Sequence, residues 1–151
     1  MYILIGLLIL IGDFVTKFLV AKNMEIGESI SVIDGVFSIT YIRNKGMAWG
    51  LLENQRWLFI GVTIIVCAFL ICYFIKNKSL HFTGKTGITL CVTGAIGNLI
   101  DRIFYPEGVI DFLSADFINF PIFNIADISV CIGAAFIIIY ILFFEGKTKE
   151  R

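Results

Sequence analysis

Histidine and paired cysteines are scarce in this chain of 151 residues, and each scarcity argues against a kind of chemistry. His81 is the only histidine and lies in a lysine-containing loop, away from the other candidate residues, which argues against a Ser/His or Cys/His triad. The cysteines lie inside apolar runs without a CxxC pair, so we interpret them as small buried hydrophobic residues. They are Cys67, Cys72, Cys91 and Cys131. A formal net charge of zero gives no indication of nucleic-acid binding.

Long hydrophobic runs, by contrast, are abundant. Hydrophobic residues make up 58% of the chain, and its mean hydropathy is +0.92. Four stretches approach the length of about 20 apolar residues that a transmembrane helix needs. They are residues 2–21, 57–75, 86–105 and 126–144. The first stretch lacks a basic start and is interrupted by Asp13 and Lys17, so we interpret it as a retained helix rather than a signal peptide.

The distribution of basic residues predicts the orientation. Loop 76–85 and tail 146–151 each carry three lysines or arginines, whereas loop 106–125 carries none and holds both prolines. By the positive-inside rule, loop 76–85 and both termini are cytoplasmic, and segments 22–56 and 106–125 lie outside.

The composition of the outer segment 22–56 predicts a small β-sheet and not a fifth transmembrane helix. Residues 29–33 (SISVI) and 36–42 (VFSITYI) have the composition of strands, and Asp34-Gly35 between them forms a turn. The predicted fold is therefore a single membrane domain over residues 1–151. It is an all-α membrane protein with four transmembrane helices and a small β-sheet segment on the outer membrane surface.

Several polar residues inside the predicted helices would lie at the same depth in the membrane, near the outer end of the bundle. They are Asp13 and Lys17 in the first helix, Asn98, Asp101 and Arg102 in the third, and Asp127 in the first turn of the fourth. Ionisable groups near hydrocarbon are expensive and by default indicate a functional site. Asp111, in the outer loop, can fold back beside Asp127, which makes the two a candidate acid–base dyad.

Several of these residues also have structural interpretations. Asp13 and Lys17 are spaced i,i+4 and could form an ion pair that only stabilises the fold. Gly94 and Gly97 could serve helix packing alone. Arg102 could extend its side chain to the membrane interface.

The surroundings of the two aspartates predict different protonation states. Asn124 could cap the fourth helix with Asp127 at its third position, and the helix dipole would favour ionised Asp127. Asp111 lies in the apolar run 109–113, where desolvation favours the protonated form. We therefore predict that Asp127 is the resting carboxylate and Asp111 the resting acid of a coupled pair.

Two other functional classes remain at this stage. A proton or ion transporter could use carboxylates and a lysine as a relay, but such a path needs polar groups through the cytoplasmic half, where the sequence has almost none. A membrane scaffold could use the outer sheet to bind a partner, although a scaffold does not need two aspartates at the end of one helix.

Five motifs in order resemble the bacterial lipoprotein signal peptidases, or signal peptidase II, over essentially the whole chain. DFVTK at 13–17 resembles the family's D-x-x-[ST]-K, and GAIGNLIDR at 94–102 resembles its G-x-x-x-N-x-x-D-R. VIDF at 109–112 and FNIAD at 123–127 resemble the motifs of its catalytic aspartates. NKGMAWG at 44–50 resembles N-x-G-x-A-F, with Trp49 in place of the usual Phe, and Thr93 stands where the family often has glycine.

The resemblance implies an aspartyl endopeptidase of the bacterial cytoplasmic membrane, with its active site near the outer leaflet. Its substrate would be a prolipoprotein with a diacylglyceryl-modified cysteine, cleaved on the amino side of that cysteine by Asp111, Asp127 and a water. Membrane lipids would be its other partners, and neither a cofactor nor a metal is implied. The remaining motif residues would bind substrate or support the site: Asp13, Lys17, Asn44, Gly46, Asn98, Asp101, Arg102 and Asn124.

Overall fold

Four helices and three strands make up the part of the chain that the structure describes. The structure, a computed structural model, describes residues 1–46 and 51–145. Trp49 of the NKGMAWG motif and the basic tail at 146–151 lie outside these described residues. The helices are α1 (Tyr2–Asn23), α2 (Arg56–Lys76), α3 (Phe82–Phe104) and α4 (Ile125–Phe143), and the strands are β1 (Ser29–Ile33), β2 (Phe37–Asn44) and β3 (Val109–Ala115).

The fold-class prediction of four membrane-type helices with a small sheet is confirmed. In the described part of the chain, four helices are long and apolar enough to cross a membrane, and their most apolar windows have mean hydropathies of 1.3 to 2.8. The lowest value belongs to α3, which packs against each of the other three helices and is the most buried of the four. Helix α3 starts at Phe82 instead of about residue 86, because His81 caps it by accepting a hydrogen bond from the Thr83 amide.

Glycines allow α3 and α4 to pack so closely that their backbones are in contact. A Cβ atom on Gly87 would lie 2.8 Å from the Gly133 carbonyl oxygen, and one on Gly94 would collide with the carbonyl oxygen of Ala126. The packing role expected for Gly94 is therefore present. Gly97 faces both α1 and α4, because a Cβ atom there would lie 2.8 Å from the Asp13 carboxylate and 3.1 Å from the Ala126 side chain.

The sheet is antiparallel in the order β1-β2-β3. Strands β1 and β2 form the predicted hairpin, and Gly35 in its turn has a φ of +69°, a conformation that favours glycine. The interpretation of 106–125 as a loop was incomplete, because Val109–Ala115 forms a third strand that pairs with β2. Its first four residues are all buried, and Asp111 is one of them, so this part of the strand lacks the alternation of a half-exposed strand.

The prediction that all four cysteines are buried was wrong for two of them. Cys67 is buried and Cys91 partly so, whereas Cys72 and Cys131 are exposed on the helix surface, and all four are free thiols. Apolar runs do not distinguish these cases, because the lipid-facing surface of a membrane helix is as apolar as its packed surface.

Candidate active site

Asp127 is fixed by the start of α4. The Asp127 amide donates to Asn124 Oδ1 at 2.9 Å, and Asp127 Oδ2 accepts from the Asn124 amide at 3.1 Å. This reciprocal pair is the predicted cap. The other carboxylate oxygen, Oδ1, accepts from the side-chain amide of Asn98 on α3 at 2.7 Å. Asp127 therefore combines a structural role in the cap with an oxygen directed at the neighbouring helix.

Asp111 lies in β3 and is only 2% exposed. Its Oδ1 accepts from Asn124 Nδ2 at 2.7 Å, and its Oδ2 accepts from Asn44 Nδ2 at 2.9 Å. Burial, together with the nearby charge of Asp127, raises the pKa of Asp111 to about 7, although the two amide hydrogen bonds act in the opposite direction. A carboxyl group with this pKa can hold or release a proton near neutral pH.

Two asparagine amides connect the aspartates. Asn98 Oδ1 accepts from Lys17 Nζ at 3.0 Å and from Asn124 Nδ2 at 2.9 Å. Because two donors occupy its oxygen, the Asn98 NH₂ group must face the Asp127 carboxylate. A continuous hydrogen-bonded network therefore runs from Asp111 through Asn124 and Asn98 to Asp127.

Behind this network, a buried ion cluster joins α1 to α3. Lys17 Nζ lies 2.7 Å from Asp13 and 2.9 Å from Asp101. All three residues are at most 5% exposed. The pair predicted from i,i+4 spacing is present, but Lys17 also bridges to Asp101, which helical spacing within α3 did not reveal.

Arg102 is directed into the site. Its guanidinium donates to the Gly46 carbonyl at 3.3 Å and to the Asn98 carbonyl at 3.4 Å, and it lies 5.1 Å from the ring centre of Phe59. Asn44 Oδ1 accepts from the Gly46 amide at 2.9 Å. These contacts place Arg102 beside the end of β2.

A cavity of about 540 Å³ opens onto both aspartates. Its polar lining comes from Asn44, Gly46, Asn98, Arg102, Asp111 and Asp127. Its apolar lining comes mainly from Phe120, Pro121, Ile122, Phe123, Ile128, Cys131 and Ile132. Such a cavity offers hydrogen-bond partners at one end and a hydrophobic wall at the other, which suits an amphiphilic ligand.

Every residue predicted for the site lies in this region. Asn44, Gly46, Asn98, Arg102 and the two aspartates line the cavity, Asn124 lies buried between the aspartates, and the ion cluster lies on the α1 side of α3. In the described ranges, no group of three acidic, histidine or cysteine side chains is placed to hold a metal ion.

Sequence reasoning missed the apolar part of the cavity. Cys131 and Ile132 follow Asp127 by about one helical turn, so their spacing could have placed them on the same face. The segment from Phe120 to Phe123 carries no local signal for lining a cavity, because its position depends on the return of the chain from β3 to α4.

The matches to known proteins agree with this arrangement. The family model described as Signal peptidase (SPase) II matches residues 5–143, a span that contains all the predicted site residues. A bacterial membrane enzyme solved by the in meso method at 2.3 Å resolution is 41% identical with a TM-score of 0.88, over 93% of this chain and 87% of that one. A second bacterial membrane enzyme, solved in meso at 1.9 Å resolution, is also 41% identical with a TM-score of 0.86, over 95% and 93%. The chain is thus a multi-pass membrane protein that belongs to the signal peptidase II family, the aspartic-type peptidases that cleave signal peptides from lipoprotein precursors.

Proposed function

We propose that this protein removes the signal peptide from diacylglyceryl-modified prolipoproteins by cleaving on the amino side of the lipidated cysteine. Asp111 and Asp127 are the catalytic residues, and a water molecule is the nucleophile. The observation that carries the proposal is that two carboxyl groups on different elements, joined by the amides of Asn98 and Asn124, line one cavity.

The reaction divides between a base and an acid. Ionised Asp127 takes a proton from the water as the water oxygen attacks the scissile carbonyl carbon. Protonated Asp111 donates a hydrogen bond to the developing oxyanion. When the tetrahedral intermediate collapses, the C–N bond breaks and Asp127 passes its proton to the leaving amine. Positioned acid–base catalysis of this kind contributes roughly a hundred- to ten-thousand-fold in rate.

The surroundings of each aspartate support this division. Asp111 is buried and has a pKa of about 7, so its protonated form is populated at neutral pH. Asp127 lies in the first turn of α4, and its two carboxylate oxygens accept hydrogen bonds from the Asn98 side chain and the Asn124 amide, which suits the role of base.

The cavity walls suit the proposed substrate. Asn44, Gly46 and Arg102 offer polar groups to an extended peptide backbone next to the aspartates. The apolar wall from Phe120 to Phe123 and from α4 can receive acyl chains or the signal-peptide helix, which would orient the scissile bond. Asp13, Lys17, Asn98, Asp101 and Asn124 support the site from behind.

The same arrangement supports our proposal for the membrane setting of the site. The polar residues of α1, α3 and α4 meet at the end of the bundle that carries the sheet, and the basic loop 76–85 lies at the other end. With basic loops on the cytoplasmic side, both termini are cytoplasmic and the active site lies near the outer leaflet of the bacterial cytoplasmic membrane.

A cleavage assay with a purified, lipid-modified prolipoprotein tests the proposal. The wild-type protein is expected to produce a gel shift, and mass measurement of the two products should place the new amino terminus at the lipidated cysteine. The Asp127→Asn variant should give no shift. Cleavage at another bond, or equal cleavage by this variant, would reject the proposal.

A further inference from the structure

We propose that Asp13 and Asp101 set the spacing of the catalytic aspartates, each by holding the main-chain N–H of the residue that precedes one of them. Lys17 forms ion pairs with both Asp13 and Asp101 and so holds these two carboxylates together. This inference rests on the proposed function and assigns all three residues a positioning role.

The first contact holds the start of α4. Asp13 Oδ1 accepts from the Ala126 amide at 2.9 Å, and Ala126 directly precedes Asp127. Ala126 is fully buried, so this amide has no access to water as an alternative partner. The amide belongs to the first turn of a helix, where main-chain N–H groups need partners outside the helix. Asp13 therefore fixes the position at which α4, and with it Asp127, begins.

The second contact holds β3. Asp101 Oδ2 accepts from the Ile110 amide at 3.2 Å, and Ile110 directly precedes Asp111. Ile110 is 4% exposed, which again leaves the carboxylate as the available partner. The two contacts are thus equivalent: one buried carboxylate holds the amide immediately before each catalytic aspartate.

Lys17 completes the arrangement. Its ammonium group contacts Asp13 Oδ2 and Asp101 Oδ2, and it also donates to Asn98, which in turn donates to Asp127. One cation therefore links α1 and α3 to both chain segments that carry the dyad. Because a dyad needs its two carboxyl groups at a fixed separation, a displacement of about 1 Å at either segment can lower the rate by about a hundredfold.

The two holding carboxylates use their oxygens differently, and this difference supplies a matched pair of variants. Asp101 binds both Lys17 and the Ile110 amide through Oδ2 alone. Asp13 uses Oδ2 for Lys17 and Oδ1 for the Ala126 amide. An asparagine has one acceptor oxygen, so Asp101→Asn can keep both contacts, whereas Asp13→Asn must lose one.

The experiment compares kcat and KM of these two variants on a lipid-modified prolipoprotein. Both substitutions remove one negative charge from the same cluster. Asp101→Asn is expected to keep most of the wild-type kcat, whereas Asp13→Asn and Asp101→Leu should lower kcat by roughly ten- to a hundredfold. KM should stay near the wild-type value in all three, because the cluster lies behind the cavity. Asp34→Asn, at the exposed hairpin turn, is the control and should leave kcat unchanged.

Equal kcat values for Asp13→Asn and Asp101→Asn would overturn the positioning role, as would a change confined to KM. If Asp101→Leu does not fold, the comparison of Asp13→Asn with Asp101→Asn still tests the positioning role. The inactive Asp127→Asn variant separates the two claims. If Asp127→Asn cleaves normally, the proposed dyad fails; if it is inactive while the asparagine pair has equal kcat, only the positioning role fails.

Discussion

Asp111 is a carboxyl group whose two oxygens are both occupied by amide donors and whose side chain is almost fully buried. The amide hydrogen bonds favour the ionised form, but burial and the charge of Asp127 outweigh them, so the pKa rises to about 7. The charged groups facing it come from three elements: Lys17 on α1, Arg102 on α3 and Asp127 on α4. This balance allows Asp111 to act as an acid at neutral pH.

The rate of cleavage should therefore depend on pH in one direction. The mechanism needs Asp111 protonated, and a group with a raised pKa loses its proton as pH rises through that value. We expect kcat to fall above pH about 7, approaching a tenfold loss per pH unit, in a series of measurements with substrate at saturation. A kcat that increases through pH 7 to a plateau would assign the base role to Asp111 instead.

At the residue scale, sequence spacing predicted the contacts between side chains that lie within about one helical turn of each other. The Asn124–Asp127 cap and the Asp13–Lys17 pair both follow from separations of three and four residues, and both are present. The contact of Lys17 with Asn98, 81 positions away, could not be predicted in this way. It depends on how α1 and α3 rotate against each other, and many rotations satisfy the same hydropathy pattern.

At the element scale, α3 is the helix that organises the site. One of its sides faces α1 through Gly97 and Asp101, and another faces α4 and the cavity through Gly94 and Asn98. Because Gly94 touches the backbone at Ala126, the same close approach that packs the helices also fixes the start of α4. Packing and the placement of Asp127 are therefore coupled.

Alanine at Gly94 should disturb both properties. The added Cβ atom would meet the Ala126 carbonyl and the Val130 amide, which are backbone groups that cannot move aside locally. We expect Gly94→Ala to lower the stability of the protein by about 1–3 kcal/mol, as overpacking typically does. Thermal unfolding in detergent should show a lower Tm, and kcat should fall as well.

Gly61→Ala on α2 is the matched control for this substitution. A Cβ atom there meets nothing within 4 Å, and alanine favours the helix by about 1 kcal/mol over glycine. Its Tm should equal or exceed that of the wild type. If Gly94→Ala behaved like Gly61→Ala, close contact at Gly94 would not be what holds α3 and α4 together.

Strand β3 is the element that the sequence did not predict. The β1–β2 hairpin pairs residues that are close in the sequence, and Asp34-Gly35 is a typical turn between strands, so both strands could be predicted. Strand β3 pairs with a segment far earlier in the chain, with Asp111 opposite Ile42, and it contains an apolar run that also suits a loop near a membrane. Asp111 is therefore held in a sheet, and its position is more rigid than the predicted loop would allow.

At the scale of the whole molecule, the polar network and the apolar surface are separated. The helices expose large apolar side chains over most of their length, such as Ile3 at 82%, Phe69 at 68% and Leu142 at 68%. Such a surface is suited to lipid contact and would be unfavourable in water. The ionisable groups of α1, α3 and α4 meet at the end of the bundle that carries the sheet.

The orientation can be tested with a reporter enzyme that is active only outside the cytoplasm. A fusion after Arg151 should be inactive, because the positive-inside rule places the basic tail in the cytoplasm. The same reporter inserted at the Asp34-Gly35 turn should be active, since that turn belongs to the sheet on the opposite side. Activity after Arg151 and none at the turn would invert the topology and place the candidate site at the inner face.

The most direct measurement for the whole account is the cleavage of a lipid-modified prolipoprotein by Asp111→Asn and Asp127→Asn, each shown to be folded and membrane-inserted. Asp116→Asn, an exposed carboxylate at the end of the same sheet, serves as the control and should cleave at the wild-type rate. We predict no detectable product from either dyad variant, because each removes one half of the acid–base pair. Processing at a rate near wild type by either variant would contradict the assignment of Asp111 and Asp127 as the catalytic residues.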